Sequence, residues 1–173
     1  MIPWMAPAAA LLAFLAAGRL YRSVLRSAQG DPAIMEISGE IRRGAVTYLR
    51  RQTESLSRFV ILLALLFALL GVLGVEGFPL VTSLGFLLGA GASMAAGWAS
   101  MMVATRANGP TVEAARRQGR GALGVAYGAG GSIGLLVVGA GLGSVLLGIG
   151  LFGLEDHLVP LTALALGAST VAL

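Results

Sequence analysis

The chain has 173 residues, a net charge of +4 and charged side chains at only 12% of its positions, with a mean hydropathy of +0.87. A soluble domain of this length needs far more surface charge, so the composition excludes an ordinary soluble protein and indicates a membrane protein. The absence of cysteine excludes a disulfide framework, a thiol nucleophile and a thiolate-bound metal.

The twelve positive charges are all arginines, and they lie in two windows, residues 19–58 and 106–120. Cytoplasmic loops of membrane proteins are enriched in arginine and lysine, so we expect both windows on the cytoplasmic side. A nucleic-acid-binding protein is not indicated, because the arginines flank apolar runs, a pattern that the positive-inside rule explains better. The arginines interpreted as topology anchors are Arg42, Arg43, Arg50, Arg51, Arg106, Arg116 and Arg117.

The first apolar run, at about residues 2–25, is interpreted as a transmembrane span. A secretory signal peptide carries positive charge ahead of its apolar stretch, whereas here Arg19, Arg22 and Arg26 come after the most apolar part. Positive charge on the C-terminal side stays in the cytoplasm, so the N-terminus is expected outside.

An amphipathic helix is predicted after Gly30, with Asp31 as a candidate N-cap and Pro32 as a candidate first helical residue. Its apolar face has helical spacing and comprises Ile34, Ile37, Ile41, Ala45, Tyr48 and Leu49. We expect this helix at the cytoplasmic surface, leading into a second span at about residues 56–75. Its arginine pairs are interpreted as contacts with solvent or lipid headgroups, with ligand binding as the alternative.

Three further apolar runs follow. The third span, at about residues 80–105, precedes Asn108-Gly109-Pro110, which is expected to break the helix before a short helix or turn at residues 111–118. A fourth span is predicted at about residues 122–150, and a fifth run at 158–173 is expected to be cut inside a helix. The predicted class is an all-α integral membrane protein with four transmembrane helices and the start of a fifth.

Small residues recur every four positions in the third span, at Gly85, Gly89, Ser93 and Gly97. Such a stripe lets a neighbouring backbone approach closely, which predicts a helix-packing face. The fourth span is richer still in glycine, and a nucleotide-binding loop is the alternative there. That alternative is rejected, because the chain has no lysine to complete a phosphate loop and no strand–loop–helix pattern.

The ionisable residues give no catalytic or metal-binding constellation. The acids Asp31, Glu36, Glu40 and Glu113 are scattered among arginines on the expected inner side. His157 follows two acidic residues in a predicted outer loop, where a solvated side chain is the simpler interpretation and metal binding the alternative. The apolar cores of spans one to four hold no ionisable residue, which favours a scaffold over an ion conduit.

Hydroxyl side chains distinguish the fifth run, at Thr162, Ser169 and Thr170. They are weak candidates for an ion path, and the alternative is that each hydroxyl bonds back to a carbonyl of its own helix.

Several local strings resemble membrane-bound, ion-pumping pyrophosphatases. Residues 36–52, with Ile41-Arg42-Arg43-Gly44-Ala45 and Tyr48-Leu49-Arg50-Arg51-Gln52, resemble the segment before the second helix of that family. Residues 85–97 resemble its third helix, 104–116 the loop that follows, and 167–173 the start of its fifth helix. The strings occur in family order and cover nearly the whole chain, and Gly109-Pro110 is a local departure.

The resemblance implies the N-terminal part of a homodimeric, multi-pass protein of a prokaryotic cell membrane. Such an enzyme hydrolyses pyrophosphate at a cytoplasmic magnesium site and exports protons or sodium ions. Its catalytic aspartates and lysines are expected after Leu173, so no catalytic or metal-binding residue is carried over, and the 173 residues alone are expected to be inactive. Ser169 matches a position on the fifth helix, which lines the ion path, and is a candidate channel-lining residue.

The expected partners are therefore the lipid bilayer, the remaining helices of the parent subunit, a second copy and pyrophosphate, without nucleic acid. The transported ion and the dependence on potassium stay open, because the family sets them on later helices. The alternative is a non-enzymatic multi-span protein, such as a transporter subunit or scaffold, that is complete at this length.

Overall fold

The computed structural model describes residues 4–76, 78–119, 121–153 and 158–172, and this part of the chain contains helices and no strand. The helices are α1 (Met5–Leu25), α2 (Pro32–Val72), α3 (Val81–Gln118), α4 (Gly121–Phe152) and α5 (Leu158–Ala172). The first four are long and apolar enough to cross a membrane, and α5 is shorter. The prediction of an all-α membrane protein with four spanning helices and a shorter fifth is confirmed.

Two helices are much longer than a bilayer requires. The 41 residues of α2 and the 38 residues of α3 correspond to about 60 Å each at a rise of 1.5 Å per residue. A hydrocarbon core of about 30 Å takes up only half of that length. The arginine-rich half of each helix can therefore lie outside the hydrocarbon. In α2 this half is the predicted amphipathic helix, which continues without a break toward Val72.

The start of α2 follows the predicted capping pattern. Pro32 is the first helical residue, and the backbone N–H of Ile34 donates to Asp31 Oδ1 at 3.0 Å. The preceding Gly30 has a φ of +97°, a conformation that L side chains rarely adopt. A Cβ at Gly30 would also approach the Ile34 side chain to 2.8 Å. The predicted N-cap is confirmed.

The helix break expected at Asn108-Gly109-Pro110 is wrong. α3 continues through this segment with Pro110 inside it. Proline removes one backbone hydrogen bond and crowds the preceding turn, but Pro110 is fully buried here and its packing offsets that cost. The Thr111 hydroxyl donates to the Ala107 carbonyl at 2.7 Å, and a Cβ at Gly109 would stand only 3.0 Å from the Gln29 carbonyl oxygen. Tertiary packing thus overrides the local helix-breaking signal.

The helices contribute to two compact units. The first consists of the described residues of 51–96 and 140–172 with the start of α1, and the second of residues 8–50 and the described residues of 97–139. The core of the first unit comprises Val60, Ala64, Phe86, Ala90 and Ala163. Phe67 packs edge-on against Phe86 at a ring-centroid distance of 5.2 Å, and Ser83 Oγ donates to the Ala64 carbonyl at 2.9 Å.

The second unit holds α1 against α3 and α4. Its core contains Val24, Ala107 and Ala129, one from each of these helices. The hydroxyl of the buried Ser132 on α4 donates to the Ala17 carbonyl on α1 at 2.9 Å. Interhelical hydrogen bonds of this kind contribute about 0.6–2 kcal/mol in membrane proteins. This bond therefore fixes the register of α1 on α4 and adds modestly to stability.

Candidate functional site

The glycine stripe of α3 meets the backbone of α5. A Cβ at Gly89 would overlap the carbonyl oxygen of Leu164, and a Cβ at Gly85 would overlap the carbonyl of the residue one turn earlier, Pro160. On α5, a Cβ at Gly167 would overlap the carbonyl oxygen of Phe86 on α3. The two helices therefore approach at backbone distance, which only residues without a Cβ allow.

The other two members of the stripe lie in different surroundings. Ser93 is half-buried. Around Gly97, outside its own helix backbone and chain neighbours, no atom of the described residues lies within 4 Å of the position that a Cβ would take. The close contact with α5 is thus made by the first half of the stripe. A packing role for the second half stays a prediction.

Ser169 lies on the face of α5 that points away from α3. It is two positions from the contacting Gly167, which corresponds to about 200° of helix rotation. Ser169 is exposed, and among the described residues its hydroxyl has no hydrogen-bond partner. Thr162 and Thr170 instead donate to carbonyls of their own helix at 2.7 and 2.8 Å. Back-bonding is confirmed for these two threonines, whereas Ser169 keeps its hydroxyl available.

A buried carboxylate lies near the end of α3. Glu113 is 1% exposed and is the only charged side chain buried to this degree in the described part of the chain. Arg116 donates to it through Nε at 3.0 Å and Nη2 at 3.3 Å, and Arg117 donates through Nε. Arg116 Nη1 also lies 3.2 Å from Oδ2 of Asp31, the N-cap of α2. The cluster thus ties the start of α2 to the end of α3.

The arginines hold the pKa of Glu113 below its ordinary value. The largest cause is the hydrogen bonding from Arg116, followed by that from Arg117, and together these outweigh the opposite effect of burial. The same pairing raises the pKa of Arg116. Glu113 lies beyond residue 105, the predicted end of the third span, and it stays ionised at neutral pH. Both carboxylate oxygens accept hydrogen bonds from the arginines, and this pairing makes Glu113 a poor general acid or metal ligand.

Acidification is expected to weaken this cluster. Because the pKa of Glu113 is lowered in the folded state, its contribution to stability is fully present above the unfolded-state pKa and is lost as the pH falls through the folded-state value. The thermal unfolding midpoint of the wild type should exceed that of Glu113→Gln at pH 7 and converge with it in acid.

The exposed Glu36 on α2 provides the matched control for that experiment. The variant Glu36→Gln should retain the pH dependence of the wild type, measured by circular dichroism in the same detergent. Equal midpoints for the wild type and Glu113→Gln at pH 7 would contradict a stabilising role for the cluster.

The remaining predicted anchors have varied surroundings. Arg43 pairs with Glu40 one turn earlier, and Arg106 donates to the Tyr21 hydroxyl at 2.6 Å. Arg42, Arg50 and Arg51 are exposed. Their assignment to the cytoplasmic side stays a prediction.

Sequence reasoning missed the role of Glu113. The sequence groups Glu113 with scattered carboxylates, whereas the structure pairs it with Arg116 and Arg117. The interpretation of the two arginines as topology anchors stays a prediction. Spacings of three and four residues place an acid and an arginine on one helix face, so the pairs were available from the sequence. The burial of Glu113 and the contact with Asp31 depend on tertiary structure.

Metal binding finds no support in the residues that the structure describes, since no group of three or more acidic or histidine side chains is close enough to hold an ion. The predicted loop with Glu155, Asp156 and His157 lies outside the described residues.

These features define a multi-pass α-helical membrane protein, with helices joined by glycine contacts and charged helix ends joined by ion pairs. The family model for inorganic H+ pyrophosphatase matches residues 11–173, and the chain belongs to that family. The resemblance found in the sequence is thereby confirmed.

Curated relatives match most of the chain. This chain is 33% identical over 169 residues to the K(+)-insensitive pyrophosphate-energized proton pump of Methanosarcina mazei, and the match covers 97% of this chain and 24% of the relative. A protein of the same name from Pyrobaculum aerophilum is 37% identical over 157 residues, 87% of this chain and 21% of the relative. The K(+)-stimulated pyrophosphate-energized sodium pump of Thermotoga maritima is 36% identical over 144 residues, which cover 82% of this chain and 19% of the relative. The chain thus spans about one fifth of the length of these relatives.

Proposed function

We propose that this chain forms part of a pyrophosphate-energised ion pump, in which hydrolysis of pyrophosphate drives protons or sodium ions across the membrane. The observation that carries the proposal is the family match over residues 11–173. It is supported by relatives whose names specify proton pumps and a sodium pump. Since both ions occur among the relatives, the proposal includes both.

Within such a pump, α1 to α4 would act as a scaffold. Their apolar cores hold no ionisable side chain, whereas ion pathways in membranes depend on polar or ionisable groups. α5 is the candidate for the ion path, because Ser169 is exposed and its hydroxyl has no hydrogen-bond partner among the described residues, so that it could bind water or an ion. The contact between α3 and α5 would hold Ser169 in this orientation.

The pyrophosphate site itself would be built by residues outside this chain. Magnesium binds through carboxylates, water and substrate phosphates, and lysine or arginine completes phosphate recognition. The chain has arginines, but the described residues contain no group of acidic side chains that fits the magnesium requirement. We propose that the complete pump binds magnesium and pairs with a second subunit. Stimulation by potassium, which the name of the Thermotoga maritima relative specifies, would also be a property of the complete pump.

The topology belongs to the same proposal. The predicted spans at about residues 2–25, 56–75, 80–105, 122–150 and 158–173 would place the N-terminus outside and both arginine windows inside. The charged cluster around Glu113 would then lie on the cytoplasmic side, where pyrophosphate is hydrolysed.

The test is a transport assay on membrane vesicles that contain the product of the complete reading frame. Pyrophosphate with magnesium is expected to drive proton or sodium uptake that stops when magnesium is chelated. An ionophore for the transported ion should abolish accumulation while hydrolysis continues, which separates transport from catalysis. Vesicles that neither hydrolyse pyrophosphate nor accumulate an ion under these conditions would contradict the proposal.

A further inference from the structure

A groove of about 290 Å³ lies in the second unit between α1, α3 and α4. Its walls are mainly apolar and include Phe14 and Gly18 of α1, Met102 and Val103 of α3, and Leu136 of α4. No atom lies within 4 Å of the position that a Cβ on Gly18 would take, outside its own helix backbone and among the described residues. The missing side chain therefore leaves open space along this wall.

One end of the groove is polar and positively charged. Arg106 and Tyr21 line it there, and Arg106 Nη1 donates to the Tyr21 hydroxyl at 2.6 Å. A neutral phenol does not compensate a guanidinium charge, and within the described ranges no carboxylate lies in ion-pair distance of Arg106. Because the phenol oxygen accepts from Arg106, its own O–H remains able to donate. This end of the groove is complementary to an anion.

The groove has the dimensions and depth of a lipid site. Arg106 lies 25 positions after the start of α3 at Val81, or about 38 Å along the helix. A hydrocarbon core of about 30 Å that begins near Val81 ends before this point, so Arg106 lies at the level of the lipid headgroups. Phe14 lies two helical turns before Tyr21, so the apolar walls continue for about 10 Å from the polar end. α1 and α3 both lead from that end into their apolar runs.

We propose that this groove binds an anionic phospholipid of the bilayer. The lipid phosphate accepts charge-assisted hydrogen bonds from Arg106 and a hydrogen bond from the Tyr21 hydroxyl. One acyl chain lies along Phe14, Met102 and Leu136, where it covers apolar side chains of three helices. Net negative charge on the headgroup is favoured, because the guanidinium of Arg106 has no carboxylate partner in the described part of the chain. The inference rests on this groove and is independent of ion pumping.

The charge requirement is tested with the purified product of the complete reading frame. Phosphatidylglycerol and phosphatidylcholine with identical oleoyl chains are added to the detergent micelles, and bound lipid is counted by native mass spectrometry. The wild type should retain phosphatidylglycerol preferentially. Arg106→Gln should weaken its binding about fivefold, the effect of one arginine at a membrane surface, and leave phosphatidylcholine unchanged. The control Arg42→Gln removes an exposed arginine outside the groove and should bind as the wild type does.

The acyl-chain site is tested at Gly18. Gly18→Leu fills the open space and should weaken the binding of both lipids, whereas Gly18→Ala fits that space and should leave binding intact. Tyr21→Phe removes only the hydroxyl and should selectively weaken phosphatidylglycerol, which provides a second test if Arg106→Gln does not fold. Folding of each variant is checked by circular dichroism and elution volume.

Three results would overturn the proposal. Equal binding of the two lipids by the wild type would remove the charge requirement. Displacement of bound lipid by an equal concentration of inorganic phosphate would show that the polar end binds free phosphate. Unchanged lipid binding in both Arg106→Gln and Gly18→Leu would show that lipid binds elsewhere and that another helix or detergent occupies the groove.

Discussion

Gly89→Ala is expected to destabilise the first unit by about 1–3 kcal/mol, the usual cost of forcing extra volume into a packed contact. The added Cβ would overlap the Leu164 carbonyl oxygen, which belongs to a helix backbone and cannot rotate away as a side chain could. α3 and α5 would have to separate, and the apolar contacts around Phe86 and Ala163 would loosen with them.

Gly91→Ala provides a matched control on the same helix. Gly91 is exposed, and no atom of the described residues outside its own helix lies within 4 Å of the position of its added Cβ. Alanine favours a helix over glycine by about 1 kcal/mol, so this variant should be as stable as the wild type or slightly more stable. The two substitutions change the helix propensity by the same amount, but the expected changes in stability have opposite signs.

The measurement is unfolding of the purified protein in mild detergent by added dodecyl sulfate, followed by circular dichroism. Gly167→Ala, which places its Cβ against the Phe86 carbonyl oxygen from the α5 side, should lower stability as Gly89→Ala does. If Gly89→Ala were as stable as Gly91→Ala, helix propensity would govern this segment, and the close contact between α3 and α5 would be refuted.

This contact links the fold to the proposed ion path. A helix held at backbone distance has little freedom to rotate, because the carbonyls of Pro160 and Leu164 on α5 lie against glycines of α3. The orientation of Ser169 is set by its position relative to Gly167, so the packing of α3 decides which face of α5 is available. Gly85 and Gly89 would therefore influence the ion path without touching the ion.

Patterns that depend on one helix were predicted well from the sequence. The spacing of apolar residues and the pair Asp31-Pro32 predict the start of α2 and its continuation into an apolar run, since capping and periodicity are local properties. The stripe of α3 was also visible, but its partner was not, because any neighbouring helix could fill the space above Gly85 and Gly89. Only the tertiary structure identifies that partner as α5.

The errors in the sequence interpretation have the same origin. Proline at position 110 predicts a break whenever the local backbone alone is considered, yet burial of its ring stabilises the continuous helix. Glu113 was treated as one of several scattered acids, because a sequence gives no direct measure of burial. Both residues lie where α3 meets other elements, and there tertiary packing outweighs local propensity.

A polypeptide of these 173 residues alone is expected to show no magnesium-dependent hydrolysis of pyrophosphate. A magnesium–pyrophosphate site needs several carboxylates that are free to bind metal, whereas Glu113 and Asp31 pair with Arg116, and Glu40 pairs with Arg43. The expected effect is therefore complete loss of turnover relative to the product of the complete reading frame.

The assay measures phosphate release from pyrophosphate with and without magnesium, using the two proteins in the same detergent and lipid. Helical content by circular dichroism must be comparable per residue, so that the absence of turnover is not caused by unfolding. Magnesium-dependent turnover by the 173-residue polypeptide would contradict the assignment of the site to residues outside it. Activity of the longer protein alone would mean that the carboxylates and lysines of catalysis come from the rest of the protein.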